Sequence, residues 1–265
     1  MNIVEAFIKF NKKIIILISG LSGSGRSELT KNIETDFKLK KIKLDSFCDK
    51  NNVKIVELSG GIKVSDWEHE NIYDWDKFNG DVINNMASGV VIVGNLFTKE
   101  KIKFEPDFHI HIKISKQKLI EKRHNYIKEH PEECDELVKY LDTPTEIQMI
   151  NQITLKHYYE NIPKTVEINK YLNSNEYNNE ELYDQAFDYL INMIKNNLKD
   201  KPKDETKDET KDETKDETNK SSSMTDTTDS DIDENKKTTE DISSSIDDKE
   251  AEYFGPIYSD VNKYI

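Results

Sequence analysis

Residues Ile14–Thr30 read IIILISGLSGSGRSELT, and their reading decides the fold. The β-branched run Ile14–Ile18 is what a strand buried on both faces requires. It stops at a Gly/Ser-rich turn and is followed by residues with helical character. Gly20, Gly25 and Ser27 stand at the fixed positions of the phosphate-cradling pattern G-x-x-x-x-G-K-[ST]. Leu21, Ser22, Gly23 and Ser24 fill the loop between them. Glycines let successive N–H groups curl around an anion, and the following helix turns its positive end toward the same anion. Ser27 places a hydroxyl where a phosphate-bound Mg²⁺ takes a ligand. The pattern's lysine is replaced by Arg26, whose planar, bidentate guanidinium still attracts phosphate but fits a developing charge differently.

The chain has 265 residues and a formal charge of −14. From Lys199 onward there are 21 acidic and 11 basic residues, against 31 and 27 before it, so most of the acidity belongs to the end of the chain. Residues 1–198 suit one α/β domain with a sizeable core. Residues 199–265, with KDET four times over Lys203–Thr218 and then Ser/Thr/Asp-rich sequence, bury almost nothing and read as a disordered tail. Thr225–Ser230 and Ser243–Ser245 lie among acids and are candidate phosphorylation targets, and Ala251–Ile265 reads as a docking motif or a segment that folds back. Two cysteines, Cys48 and Cys134, suggest a reducing, cytoplasmic setting. No apolar run approaches the roughly 18 residues of a membrane helix, and Met1–Lys13 reads as an amphipathic docking helix with Ile3, Phe7 and Phe10 on one side.

Along the chain, Glu28–Asp36 is expected as a helix and Lys40–Leu44 as a second strand ending at Asp45-Ser46-Phe47. In open α/β sheets ligands bind beyond the carboxyl ends of the strands, so Asp45 falls on the same rim as the loop, where a carboxylate can accept a hydroxyl proton. Val53–Leu58 is a short excursion closed by Ser59-Gly60-Gly61. In the acidic stretch after it, Trp67 offers a ring to stack on a base and Glu68 a carboxylate to accept from ribose hydroxyls; the bland reading is a solvated loop with a buried aromatic. His69 carries no assigned role. Asp74–Ala87 reads as a capped helix, Val90–Val93 as a third strand and Phe108–Ile114 as a fourth. His109 and His111 share one face of that strand, but without further ligands nearby they do not read as a metal site. Ser115 caps a basic helix, Lys116–Lys128, in which Lys122 and Arg123 can clamp phosphates if it closes as a lid. Glu129–Leu141 is acidic and expected to be mobile. A helix over Thr145–Asn161, a fifth strand at Thr165–Ile168 and a helix over Asn179–Asn196 follow. The alternation predicts a mainly parallel sheet of about five strands flanked by helices, and with the loop Gly20–Ser27 it resembles the P-loop NTPase type.

Three places together resemble the uridine kinases and nicotinamide riboside kinases, a P-loop branch of small-molecule kinases: the loop Gly20–Ser27, Asp45-Ser46-Phe47, and DWEHENIYDW over Asp66–Trp75. The resemblance covers roughly residues 13–195 in element order. It implies phosphoryl transfer from ATP with Mg²⁺ to the 5′-hydroxyl of a ribonucleoside. By the same resemblance Asp45 is the general base, Arg26 the phosphate-loop cation, Ser27 the metal ligand, Trp67 and Glu68 the base and ribose contacts, and Lys122 and Arg123 the basic lid. Two positions depart from the family: Arg26, and Val93, where the family carries an acid before Gly94. A second reading follows from those departures: a lapsed nucleotide-binding module that recruits a protein partner through its acidic tail. Nucleic-acid binding through Lys116–Lys128 is disfavoured because residues 1–198 are not basic overall.

Overall fold

The computed structural model describes residues 2–131 and 138–199. The tail, and with it the repeat, the phosphorylation candidates and the terminal aromatic segment, lies outside them, as do Cys134 and part of the Glu129–Leu141 stretch.

The chain begins with α1 (Ile3–Asn11), capped by Asn2 and Glu5 in a reciprocal capping box. Val4 and Phe7 are its buried residues, and Phe7 meets Phe108 at 5.7 Å between ring centroids. Phe10, expected on the buried side, is 61 % exposed, in the last turn of the helix. Then come β1 (Ile15–Gly20), α2 (Arg26–Phe37) and β2 (Lys40–Lys43). A hairpin follows, β3 (Lys54–Glu57) paired antiparallel with β4 (Lys63–Asp66), where the sequence reading had only a short excursion. Gly60 and Gly61 turn it with φ of +96° and +80°. Next are α3 (Trp75–Asn85), β5 (Val90–Gly94), β6 (Phe108–Lys113) and α4 (Lys116–Glu129). Asp74 caps α3 through the Lys77 N–H, and Ser115 caps α4 through the Lys118 N–H. The helix expected over Thr145–Asn161 is α5 (Pro144–Met149), a π segment (Ile150–Leu155) and α6 (Lys156–Asn161). β7 (Lys170–Asn173) and α7 (Asn179–Lys199) complete the described chain.

The main sheet has five strands in the order β2-β5-β1-β6-β7, every pair parallel. The fold class is therefore as expected, a mainly parallel sheet flanked by helices. Alternation along β1 divides the core. Ile16 and Ile18 pack under α1, α2 and α7 with Ile33, Leu190 and Ile194, while Ile15 and Leu17 face α3 with Phe78, Val82 and Phe97. The fifth strand is Lys170–Asn173 rather than Thr165–Ile168. Thr165 makes only a single bridge to Thr98, and as an edge strand β7 buries one side chain, Leu172, so its hydrophobic signal is weaker than that of the segment before it.

Phe78 ties α3 to this core, with Phe47, Trp75, Phe104 and Phe97 at 5.5 to 6.3 Å between ring centroids. Phe78→Ala is expected to destabilise the fold by about 3–5 kcal/mol. Denaturant unfolding measures this, and a loss below about 1 kcal/mol would contradict the packing described.

Candidate active site

Because the sheet is parallel, the loops after β1, β2 and β5 open on one rim. The loop Gly20–Ser27, read from its spacing as a phosphate loop, is held in shape by backbone that only glycine provides. Gly20 has φ +153°, and a Cβ there would lie 2.7 Å from Ser24 Oγ and 2.8 Å from the Ile112 carbonyl oxygen. Gly25, at φ +99°, is the N-cap of α2. Arg26 follows as the first helical residue and is only 7 % exposed. Among the described residues, Ser24 Oγ, Arg26 Nη1 and Arg123 Nη1 are buried without hydrogen-bond partners. Buried orphan donors of this kind are costly unless a ligand satisfies them. α4 brings Arg123 to the same place, since a Cβ on Gly23 would meet Arg123 Cγ at 3.4 Å. Lys122 donates instead to Ser174 Oγ at 2.7 Å, and burial, then Lys118, lowers its pKa. Two guanidinium groups, a hydroxyl and a helix N-terminus form a donor set that fits a phosphate chain.

Ser27 is exposed in the first turn of α2. No cluster of three or more His, Cys, Asp or Glu suited to a metal occurs among the described residues. A Mg²⁺ would thus rest on Ser27, phosphate oxygens and water, the set this ion commonly takes beside a nucleotide.

Around Asp45 the rim is organised by Tyr73, which the sequence reading passed over. Its hydroxyl donates to Asp45 Oδ1 at 3.3 Å. Burial raises the Tyr73 pKa, the carboxylates of Asp45 and Glu68 push it further up, and the Arg26 guanidinium opposes them. Of these groups Asp45 contacts the hydroxyl, while Glu68 and Arg26 act on it as charges. Glu68 is fixed by two donors, Asn95 Nδ2 to Oε2 at 2.8 Å and Thr154 Oγ1 to Oε1 at 3.2 Å. Asn95 also accepts the Gly20 N–H on its backbone carbonyl at 3.0 Å, which couples the loop after β5 to the phosphate loop. Val93 is buried in β5 opposite Ile18, so a carboxylate near this strand end comes from Glu68 rather than from the strand itself.

A shallow cleft open to solvent lies beside them, and its lining includes Leu21, Glu68, Glu70, Tyr73, Trp75 and His157. The indole in its wall is that of Trp75, whose N–H donates to the Glu70 carbonyl at 2.8 Å. Trp67 is half-buried and is not among the lining residues. The π segment and α6 close the far side: Gln152 reaches Ser59 on the hairpin, Thr154 reaches Glu68, and His157 Nε2 pairs with Asp66 Oδ2 at 2.8 Å. No amphipathic pattern forecasts a π turn, so these wall residues were out of reach of the sequence reading.

The His157–Asp66 pair makes stability depend on pH. The hydrogen bond to Asp66 raises the His157 pKa against the opposing effect of burial. Burial pushes the Asp66 carboxyl up, yet its bonds to His157 and to the Glu68 N–H bring it below the usual value. The His157 contribution is fully present below its unfolded value of about 6.5 and is lost as pH rises through its folded value. The Asp66 contribution is present above the unfolded carboxylate value and is lost as pH falls through the lowered folded one. Above about pH 6.5 the contribution of the pair itself therefore falls, and the stability difference between the native chain and His157→Gln in denaturant melts is expected to shrink as pH rises. A constant difference would contradict the pairing.

No family model matches the chain, and no curated protein matches it. Among solved structures, a gluconokinase from Sinorhizobium meliloti is similar over 70 % of this chain and 96 % of its own, at 17 % identity and a TM-score of 0.46. A putative fructose transport system kinase from a Silicibacter species is similar over 65 % and 99 %, at 11 % identity and 0.45. A possible uridine kinase from Bacillus stearothermophilus is similar over 53 % and 97 %, at 12 % identity and 0.30. At these identities and scores the likenesses assign no activity to this chain. No helix among the described residues is long and apolar enough to cross a membrane.

Proposed function

We propose that the protein is an ATP-dependent kinase that phosphorylates the 5′-hydroxyl of a ribonucleoside or a nicotinamide riboside-like substrate. The observation that carries this reading is Asp45, held by the Tyr73 hydroxyl at 3.3 Å, on the same rim as a Gly/Ser loop whose buried donors are unsatisfied. In this reading Gly20, Leu21, Ser22, Gly23, Ser24, Gly25, Arg26 and Ser27 hold the nucleotide, and Ser27 holds its Mg²⁺. ATP supplies the phosphoryl group, and the metal neutralises charge on it. Tyr73, kept protonated by its raised pKa, donates to Asp45 Oδ1 and leaves the other carboxylate oxygen to accept the proton of the attacking hydroxyl. Arg26 and Arg123 aim donors at the transferring group, Lys122 adds charge from the same helix, and Glu68 accepts from the ribose. Trp75 is the ring placed to cover the base, in the role first expected of Trp67. Such chemistry needs positioning and charge neutralisation more than covalent participation.

Burial of Arg26 and the apolar Val93 favour a second reading, a nucleotide-binding module without turnover that acts on a protein partner through its acidic tail. A coupled kinase assay against a panel of ribonucleosides and nicotinamide riboside, with Arg26→Lys alongside, separates the two. Phosphorylated product from the native chain is expected. Product from Arg26→Lys alone identifies the lapsed module, and none from either overturns the kinase reading.

A further inference from the structure

Under the cleft runs a buried chain of polar side chains that the proposed chemistry does not use. Ser19 Oγ, on β1, lies 2.6 Å from His109 Nε2 and 2.8 Å from His111 Nδ1, both on β6. His109 Nδ1 faces only two carbonyl oxygens, those of Val166 and Glu167, at 3.2 Å each. His111 Nε2 lies 2.7 Å from the hydroxyl of Tyr158, whose side chain stands in the cleft wall and packs with Leu21 of the phosphate loop. Ser19, His109 and His111 are all fully buried.

The direction of every bond in this chain follows from its first member. Carbonyl oxygens only accept, so His109 Nδ1 carries a proton. Burial holds His109 and His111 neutral, lowering their pKa values to about 4 and about 3, so His109 Nε2 is an acceptor and takes the Ser19 proton. A serine has one proton to give, so Ser19 accepts from His111 Nδ1–H, and His111 Nε2 in turn accepts from Tyr158. The Tyr158 hydroxyl proton is therefore committed to the interior.

We propose that Tyr158 is a specificity residue of the cleft: the buried chain His109–Ser19–His111 locks its proton inward, so toward a ligand its phenolic oxygen acts only as an acceptor and selects an N–H or O–H donor. Tyr158 then discriminates between substrates that differ in one donor, since a ligand acceptor placed against it meets lone pairs on both sides. This rests on the reading of the cleft as the site of the hydroxyl-bearing substrate.

Two measurements on the full chain test it. Long-range ¹H–¹⁵N NMR with ¹⁵N-histidine at pH 7 is expected to show His109 and His111 as neutral Nδ1–H tautomers; an Nε2–H tautomer or an imidazolium at either overturns the proposal. Calorimetric titration of wild type and Tyr158→Phe then uses cytidine, uridine and the 2′- and 3′-deoxy analogues of each. Wild type is expected to lose about tenfold or more in affinity when one particular donor is removed or replaced by an acceptor. Tyr158→Phe should lose that discrimination to within about twofold while keeping its discrimination at the other groups, a pattern that general damage to the fold does not give. Binding with the same discrimination in both proteins, or a uniform loss at every group, overturns the role of Tyr158 and leaves the kinase reading standing. No binding to wild type of cytidine, uridine, adenosine, guanosine or nicotinamide riboside overturns both.

Discussion

In the proposed kinase, Asp45→Asn is expected to lower phosphoryl transfer by about 10²–10⁴-fold in kcat, with nucleoside affinity changed by no more than a few-fold. The asparagine is isosteric and still accepts from the Tyr73 hydroxyl at its side-chain oxygen, so the 3.3 Å contact and the local fold survive. What is lost is the second oxygen as a proton acceptor, because an amide nitrogen presents hydrogens in its place. Asp45 is exposed, so the change leaves no buried charge unpaired and stability is unaffected. A fall in affinity as large as the fall in turnover would make Asp45 a binding group and not a base.

The second large effect separates binding from stability at one residue. Arg26→Met is expected to weaken ATP binding by about 100-fold or more while leaving the melting temperature of the ligand-free protein unchanged or raised. Arg26 is buried in the unliganded chain with Nη1 unpartnered, a state that desolvates charge without full compensation. Methionine fills similar volume without that cost. With nucleotide bound the balance reverses, since the lost groups are charge-assisted donors to phosphate. Thermal melts with and without ATP read both halves. A marked loss of stability without nucleotide would show that Arg26 is a structural cation and not a ligand-binding one.

The parts of the fold that could be read in the sequence were those fixed by local periodicity and turn chemistry. Ile14–Ile18 is apolar at every position because β1 is the central strand, covered on both faces, and the caps Asp74 and Ser115 announce α3 and α4 by side-chain type alone. β7 was displaced because an edge strand with one buried residue leaves little pattern, and the second strand of the hairpin was missed because one of the two residues β4 buries, Asp66, is an acid and gives no hydrophobic signal. The site was half legible. Gly20–Ser27 and Asp45 follow from spacing and from the rule that loops after parallel strands share a rim. Tyr73, Asn95, Thr154 and His157 did not, because each acts through a partner far away in the chain, as in the bonds of Asn95 and Thr154 to Glu68. His109 and His111 were seen to share a face, but the serine that joins them lies on the neighbouring strand, and only the β1–β6 register brings it there.

At this rim a phosphoryl group is expected to move under the control of Asp45. ³¹P NMR of the full chain with ATP, Mg²⁺ and a mixture of ribonucleosides and nicotinamide riboside observes that transfer directly. A 5′-monophosphate resonance growing with the native protein and absent with Asp45→Asn is the predicted result. Only ADP and inorganic phosphate from the native protein, or the same monophosphate at the same rate from both, would contradict it.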